Sequence, residues 1–152
     1  MANQSELCKR VVEYLDSQGW HYDYERDNVI GMKMSLKSKL QSCAMLIFIG
    51  EEEIQAYAVS PLNAEKDTYA DVVEFITRAN YGLKVGGFEF DYRDGEVRYH
   101  TCLPCGASIP ELSVIERVID IPFLMLQRYG DGLAKNIMGY GDPESDISKI
   151  EG

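Results

Sequence analysis

Apolar and polar residues alternate most clearly between positions 88 and 101, and the alternation predicts a β-hairpin. Three aromatic residues alternate with charged ones in the first arm, as in a strand with one buried face. Asp94-Gly95 supplies the turn, since glycine adopts the positive φ that a tight hairpin needs. The residues expected on the buried face are Phe88, Phe90, Tyr92, Val97, Tyr99 and Thr101. Just upstream, Gly82 is expected to end a helix.

The rest of the chain shows the same two periods, those of strands and of amphipathic helices. An apolar stripe of helical spacing covers residues 5–17, and four strands are predicted at 20–25, 30–36, 43–49 and 54–59. A second helix begins between Asn63 and Thr68, with Thr68 and Asp71 resembling a capping box, and its stripe reaches Leu83. A third helix runs from Ser113 to Tyr129 with a kink at Pro122, and a short helix follows at 131–139.

The element order is therefore α-β-β-β-β-α-β-β-α, which predicts an α+β fold. Strands joined by hairpins form an antiparallel sheet, and the helices between them pack on it. We expect a single domain over residues 5–139. Residues 140–152 are polar and acidic, and are expected to form a flexible tail.

Composition and charge narrow the possible functions. The chain has 152 residues, of which 45% are hydrophobic, and this content excludes a disordered protein. Twenty-five acidic against fifteen basic residues give a net charge of -10, which disfavours binding to nucleic acids and to anionic membranes. The amino terminus lacks a basic segment followed by an apolar run, and the four cysteines suit a reducing compartment, so a cytoplasmic protein is expected.

Two motifs carry potential chemistry, and neither has the context that its chemistry requires. Cys102-Leu103-Pro104-Cys105 has the form of a redox motif, but the first cysteine of such a motif lies at a helix amino terminus, and Gly106 and Pro110 interrupt any helix here. His100 adds a third potential zinc ligand, whereas a closed structural site needs four. We therefore predict no catalytic residue, no cofactor and no metal site, and keep a thiol redox protein using Cys102 and Cys105 as an alternative.

The strand at 43–49 is apolar on both faces, unlike the other strands. Its second face, with Leu46 and Phe48, would adjoin Tyr57 of the next strand in an apolar patch. A second copy of the chain is the simplest cover, because one self-complementary patch then buries itself in both copies. Leu46, Phe48 and Tyr57 are thus the predicted homodimer interface. The alternative is that the apolar run 121–126 of the third helix crosses this face within one chain.

The order of residues around the hairpin resembles the YbjN-like family, whose domain looks like the type III secretion chaperone fold. The resemblance rests on the residues Asn80, Leu83, Gly86, Phe88, Asp94-Gly95, Val97 and Tyr99. It implies a regulator of bacterial sensory transduction and motility, and the chaperone fold implies small, acidic, cytoplasmic homodimers that bind other proteins. No catalytic residues belong to the family pattern. The double glycine Gly86-Gly87 is more than that pattern needs.

These observations favour a non-enzymatic protein-interaction module that acts as a regulator or chaperone-like adaptor. Its expected partners are a second copy of the chain and another protein, with no nucleic acid and no membrane. A thiol redox protein and a small-ligand sensor are the alternatives.

Overall fold

The computed structural model describes residues 2–152, which form four helices and six strands. The helices are α1 (Ala2–Gln18), α2 (Tyr69–Asn80), α3 (Leu112–Met138) and α4 (Pro143–Glu151). The strands are β1 (Asp23–Arg26), β2 (Val29–Ser35), β3 (Ser42–Ile49), β4 (Glu53–Val59), β5 (Gly87–Asp91) and β6 (Glu96–Pro104). A short 3₁₀ turn, Lys66–Thr68, leads into α2. The predicted α+β class and element order are confirmed, with α4 as an additional helix.

All six strands belong to one antiparallel sheet in the order β1-β2-β3-β4-β6-β5. The first four strands follow one another as hairpins. β6 then pairs with β4, and β5 lies outside β6 at the edge. β4 and β6 are separated along the chain by α2 and β5, so their pairing brings the first four strands and the last two into one sheet.

The core lies between the sheet and the helices α1, α2 and α3, which pack on the same side of it, while α4 packs against α2 and α3. Alternation places one set of strand side chains in this layer, and the helices contribute their apolar stripes. Core residues from the strands include Ile30, Met45, Ile47, Ile54, Ala56, Phe88, Val97 and Tyr99. Core residues from the helices include Leu7, Val11, Leu15, Val72, Phe75, Ile119, Leu126 and Leu133.

The predicted hairpin is confirmed, and an asparagine caps its outer edge. Gly82 and Gly95 have φ of 86° and 79°, as their predicted positions require. Asn80, at the end of α2, accepts a hydrogen bond from the Phe88 N–H at 2.7 Å and donates one to the Phe88 carbonyl at 3.0 Å. The side-chain amide thus pairs with edge strand β5 as the backbone of another strand would. Tyr92 lies beyond β5 and is exposed, so the prediction that it shares the buried face was wrong.

The third helix differs from its prediction because tertiary packing outweighs local sequence signals. α3 runs unbroken through Pro122 and includes the segment predicted as a separate helix after Tyr129. Its apolar stripe stays in phase with the core across the proline, and Gly139, with φ of 88°, ends the helix. Thr68 does not cap α2 with its side chain. Its hydroxyl donates to the carbonyls of Glu65 and Ile137 instead.

The carboxy-terminal segment is a docked helix, and the prediction of a flexible tail after residue 139 was wrong. Ile147 of α4 is buried, and the buried carboxylate of Asp146 accepts a hydrogen bond from Lys135 Nζ at 3.0 Å. Asn136 of α3 and the backbone N–H of Asp142 donate to the same carboxylate. These bonds compensate for burying a charge. Residues 140–151 therefore pack as part of the same domain.

Candidate interaction site on the open face of the sheet

One face of the sheet carries no helix, and the predicted patch lies at its centre. Because side chains alternate along a strand, Leu46 and Phe48 of β3 point away from the helices. Leu46 pairs with Tyr57 of β4, and the rings of Phe48 and Tyr57 meet edge to face with centroids 5.5 Å apart. All three predicted residues are half-buried and adjoin one another. We call this surface the open face.

The alternative prediction, that residues 121–126 of the third helix cover this patch, was wrong, because α3 lies on the opposite side of the sheet. Thr101 of β6 is buried under the helices and donates a hydrogen bond to the Val118 carbonyl of α3 at 2.7 Å. Ile119 and Leu126 of α3 belong to the same buried core. No helix among residues 2–152 therefore covers Leu46, Phe48 and Tyr57.

A stack of rings next to this patch was not predicted. His100 of β6 pairs with Tyr57, and their rings lie nearly parallel, at 10°, with centroids 4.3 Å apart. The Arg98 guanidinium carbon lies 4.2 Å from the centroid of the Tyr57 ring, within cation–π range. Finding this stack from sequence requires the register between β4 and β6, which are separated by α2 and β5.

Both ring nitrogens of His100 lie within hydrogen-bonding distance of a side chain from a neighbouring strand. Glu89 Oε2 of β5 lies 3.1 Å from His100 Nδ1, and Gln55 Oε1 of β4 lies 2.8 Å from His100 Nε2. Glu89 Oε1 also accepts a 2.6 Å bond from Arg98 Nε. Burial raises the pKa of Tyr57, so its hydroxyl stays protonated at neutral pH and donates to Gln55 Oε1 at 3.2 Å. The ring is therefore fixed in position before any partner binds.

The charges of the open face are unusual for a chain with a net charge of -10. Near its centre lie Arg98 and Lys33, and the Arg26 guanidinium lies 5.6 Å from the Phe48 ring centroid. Glu53, Asp91 and Glu96 stand at strand ends, but Glu89 lies within β5 beside Arg98, and the Glu25 side chain lies over Gly31, the paired residue of Leu46. The central part of the open face thus holds three basic and two acidic side chains, and is less acidic than the molecule as a whole.

Neither cysteine of the redox motif lies in an environment that would lower the pKa of its thiol. Cys102 is exposed on the open face, Cys105 follows the end of β6, and α3 begins only at Leu112. Burial and the nearby Glu53 raise the pKa of the Cys102 thiol, and burial likewise raises that of Cys105. A thiolate is therefore disfavoured at neutral pH, contrary to what redox catalysis needs. Within residues 2–152, no three potential ligands gather into a metal-binding group.

A cleft of about 670 Å³ lies between α1 and the edge of the sheet at β1. The Cys8 thiol and the Tyr24 hydroxyl face each other across it at 3.7 Å, with Val12 on its helical wall. Its volume falls within the range of small-molecule sites, about 300–1,000 Å³. A small-ligand sensor stays an alternative prediction, and this cleft has the volume that such a ligand would need.

Comparison with known proteins gives the family. The model of the family YbjN, described as "Putative bacterial sensory transduction regulator", matches residues 8–134. A crystal structure of YbjN from E. coli, titled a "putative transcription regulator", matches with a TM-score of 0.53 and 11% identity, and covers 94% of this chain and 87% of that chain. That likeness shows the shared fold.

No curated protein sequence matches the chain. None of the helices in the described part of the chain has the length and hydrophobicity to cross a membrane. The family match covers most of the chain, which therefore belongs to the YbjN family.

Proposed function

We propose that this YbjN-family protein is a non-enzymatic regulator that works by binding proteins, and that its first partner is a second copy of itself. The family description supports a regulatory role at the level of the whole domain. The protein-binding mode and the dimer are our extension of it.

A single observation supports this proposal: three adjoining apolar side chains near the centre of the open face are half-buried, and no helix among residues 2–152 covers them. Antiparallel sheets tolerate one face in water when that face is polar. Here Leu46, Phe48 and Tyr57 occupy it instead. Contiguous apolar patches of this kind on soluble domains are typical of protein interfaces.

Charge favours a second copy as the cover for this patch. Two molecules that each carry -10 repel one another, and contact costs least where acidic groups are sparse. The centre of the open face comes closest to that condition, since the basic residues Arg26, Lys33 and Arg98 there outnumber the acidic residues Glu25 and Glu89. Twofold symmetry then buries the same patch in both copies.

Mass measurement tests the dimer. Size-exclusion chromatography with light scattering should give about twice the chain mass of 17.2 kDa at micromolar concentration. Phe48→Asp places a carboxylate in the interface and should yield folded monomers with an unchanged circular dichroism spectrum. A wild-type mass near that of one chain would overturn the dimer.

Leu124→Asp is the matched control. Leu124 is an exposed apolar residue of α3, on the helical side of the molecule. The substitution adds the same charge to an apolar surface position, but leaves the open face intact. A dimer that persists in Leu124→Asp and dissociates in Phe48→Asp assigns the interface to the open face. Dissociation in both variants would show a general charge effect and contradict the assignment.

A further inference from the structure

The ring stack on the open face ends in a gap above Gly87. His100 stacks on Tyr57 of β4 on one side, and on its other side the paired residue of β5 is Gly87, which has no side chain. A cavity of about 350 Å³ occupies this position. It is lined by Gly86, Gly87, Phe88, Glu89, His100 and Cys102. We call this cavity the slot.

Gly86 and Gly87, which line the slot, lack a side chain for different reasons. Gly86 has φ of 73°, and a Cβ there would collide with the carbonyl oxygen of His100, so the fold requires glycine. Gly87 has no positive φ, and the nearest atom to a Cβ there would be Asn80 Oδ1 at 3.3 Å. The backbone conformation therefore does not require glycine at position 87, but a Cβ there would press on the Asn80 amide that binds Phe88. The lack of a side chain there leaves the slot open.

The walls of the slot suit a planar ring. The free face of His100 forms one wall, and this imidazole is held in place by Glu89 and Gln55, so stacking on it costs little side-chain entropy. Glu89 has two bonds, from Arg98 and His100, and a carboxylate has about four acceptor positions. It can therefore accept a further N–H or O–H at one end of the slot. The Cys102 sulfur at the other end can contact a ring edge favourably.

We propose that the slot binds an aromatic side chain with a polar hydrogen, a tryptophan or a tyrosine, presented by a protein partner. The ring extends the stack of Tyr57 and His100, and its N–H or O–H donates to Glu89. The slot lies near the lower end of the size range of small-molecule sites, which suits one side chain better than a larger ligand. This inference rests on the proposed protein-binding function and adds the chemistry of the partner.

Nuclear magnetic resonance of the isotope-labelled full chain tests the slot with N-acetyl-tryptophanamide as the probe. The expected result is a saturable upfield shift of the His100 ring protons at millimolar probe concentrations, since a stacked indole shields them. The His21 ring is an internal control, because its side chain is 92% exposed and does not line the slot. N-acetyl-leucinamide should cause no saturable shift. An equal response to the leucine probe, or no saturable shift with the tryptophan probe, would overturn the proposal.

Variants locate the binding site. Gly87→Val fills the slot and should weaken binding of the tryptophan probe at least tenfold. Ala44→Val is the control, since it likewise places a valine at an exposed position of the open face, three strands away. His100→Ala removes the stacking wall and gives a second test if Gly87→Val does not fold. Unchanged affinity in a folded Gly87→Val or His100→Ala variant would contradict the site.

Two further measurements distinguish this inference from the proposed dimer and from a small-molecule site. Phe48→Asp should keep the His100 response, because Phe48 does not line the slot. If the wild-type protein is monomeric and the response is present, the dimer fails and the slot stands. If the protein is dimeric and the response is absent, the slot fails alone. Binding of free indole without binding of N-acetyl-tryptophanamide would assign the slot to small molecules and overturn the protein partner.

Discussion

A single side chain, Asn80, closes the outer edge of the sheet. Its amide exchanges two hydrogen bonds with the backbone of Phe88. Asn80→Ala removes both hydrogen bonds, and leaves the N–H and carbonyl of Phe88 without their side-chain partner. We expect a loss of about 1–3 kcal/mol in the free energy of unfolding, measured by urea denaturation. Thr77→Ala, at an exposed position of α2, should cost less than about 0.5 kcal/mol. Equal losses in the two variants would contradict the role of the amide.

The two phenylalanines of β5 should differ in their contribution to stability. Phe88 is 4% exposed and packs edge to face against Tyr99 and Tyr129, whereas Phe90 is only partly buried beside Tyr69. Phe88→Ala should therefore cost about 3–5 kcal/mol, and Phe90→Ala clearly less. Denaturant titration of both variants measures the difference. A larger loss for Phe90 would mean that the core is centred nearer the hairpin tip.

The thiols of Cys102 and Cys105 should behave as ordinary, poorly reactive cysteines. Burial and neighbouring carboxylates raise both pKa values. Alkylation by iodoacetamide, followed by mass spectrometry across a pH series, should show half-maximal rates above about 8.5, the value of a free cysteine. Replacing both residues by serine should leave the fold intact. A midpoint below neutral pH, or a reversible loss of two thiols under mild oxidant, would revive the redox alternative.

At the scale of elements, α4 depends on the ion pair between Asp146 and Lys135. Burial raises the pKa of Asp146, but bonds from the Asp142 N–H, Lys135 and Asn136 outweigh it and hold that pKa below its ordinary value. The carboxylate therefore contributes stability at neutral pH that is lost as the pH falls below about 4, through the lowered folded-state value. Lys135→Ala should lower stability by about 1–3 kcal/mol and move acid unfolding to higher pH.

Lys149→Ala provides the comparison for that prediction. It removes the same charge from an exposed position of α4 itself, and should leave both stability and acid unfolding nearly unchanged. Circular dichroism recorded as a function of pH follows both variants. If the acid transitions of the two variants coincide, Asp146 does not anchor α4 through Lys135.

Local periodicity predicted the elements whose partners lie close by in sequence. The hairpin of β5 and β6 and the alternation of β3 followed from period two alone, and so did the apolar patch of Leu46 and Phe48. The predicted end of the third helix at Tyr129 was too early, because local rules ignore how the stripe of α3 packs on the core beyond that residue. α4 looked like a tail because its anchor, Asp146, becomes favourable only beside Lys135 and Asn136. The ring stack depends on the long-range pairing of β4 with β6.

At the scale of the whole molecule, net charge should control assembly. Two copies that each carry -10 repel one another, and salt screens this repulsion over about 10 Å at 0.1 M. We therefore expect the dimer to tighten between 50 and 300 mM sodium chloride, measured by sedimentation equilibrium. Hydrophobic contact at the open face changes little over this range. Weakening with salt would indicate instead that ion pairs between the copies hold the dimer together.

The contact between α1 and α3 has a consequence for synthesis of the chain. The Tyr14 hydroxyl donates to Asp120 at 2.8 Å, a bond between residues 106 positions apart. α1 is synthesised before α3, which begins at Leu112, so at about 5–20 residues per second α1 waits on the order of 5–20 seconds for its partner. An isolated helix of 17 residues is marginal in water. The apolar stripe of Leu7, Val11 and Leu15 is thus a surface of the nascent chain that needs protection until α3 has been synthesised.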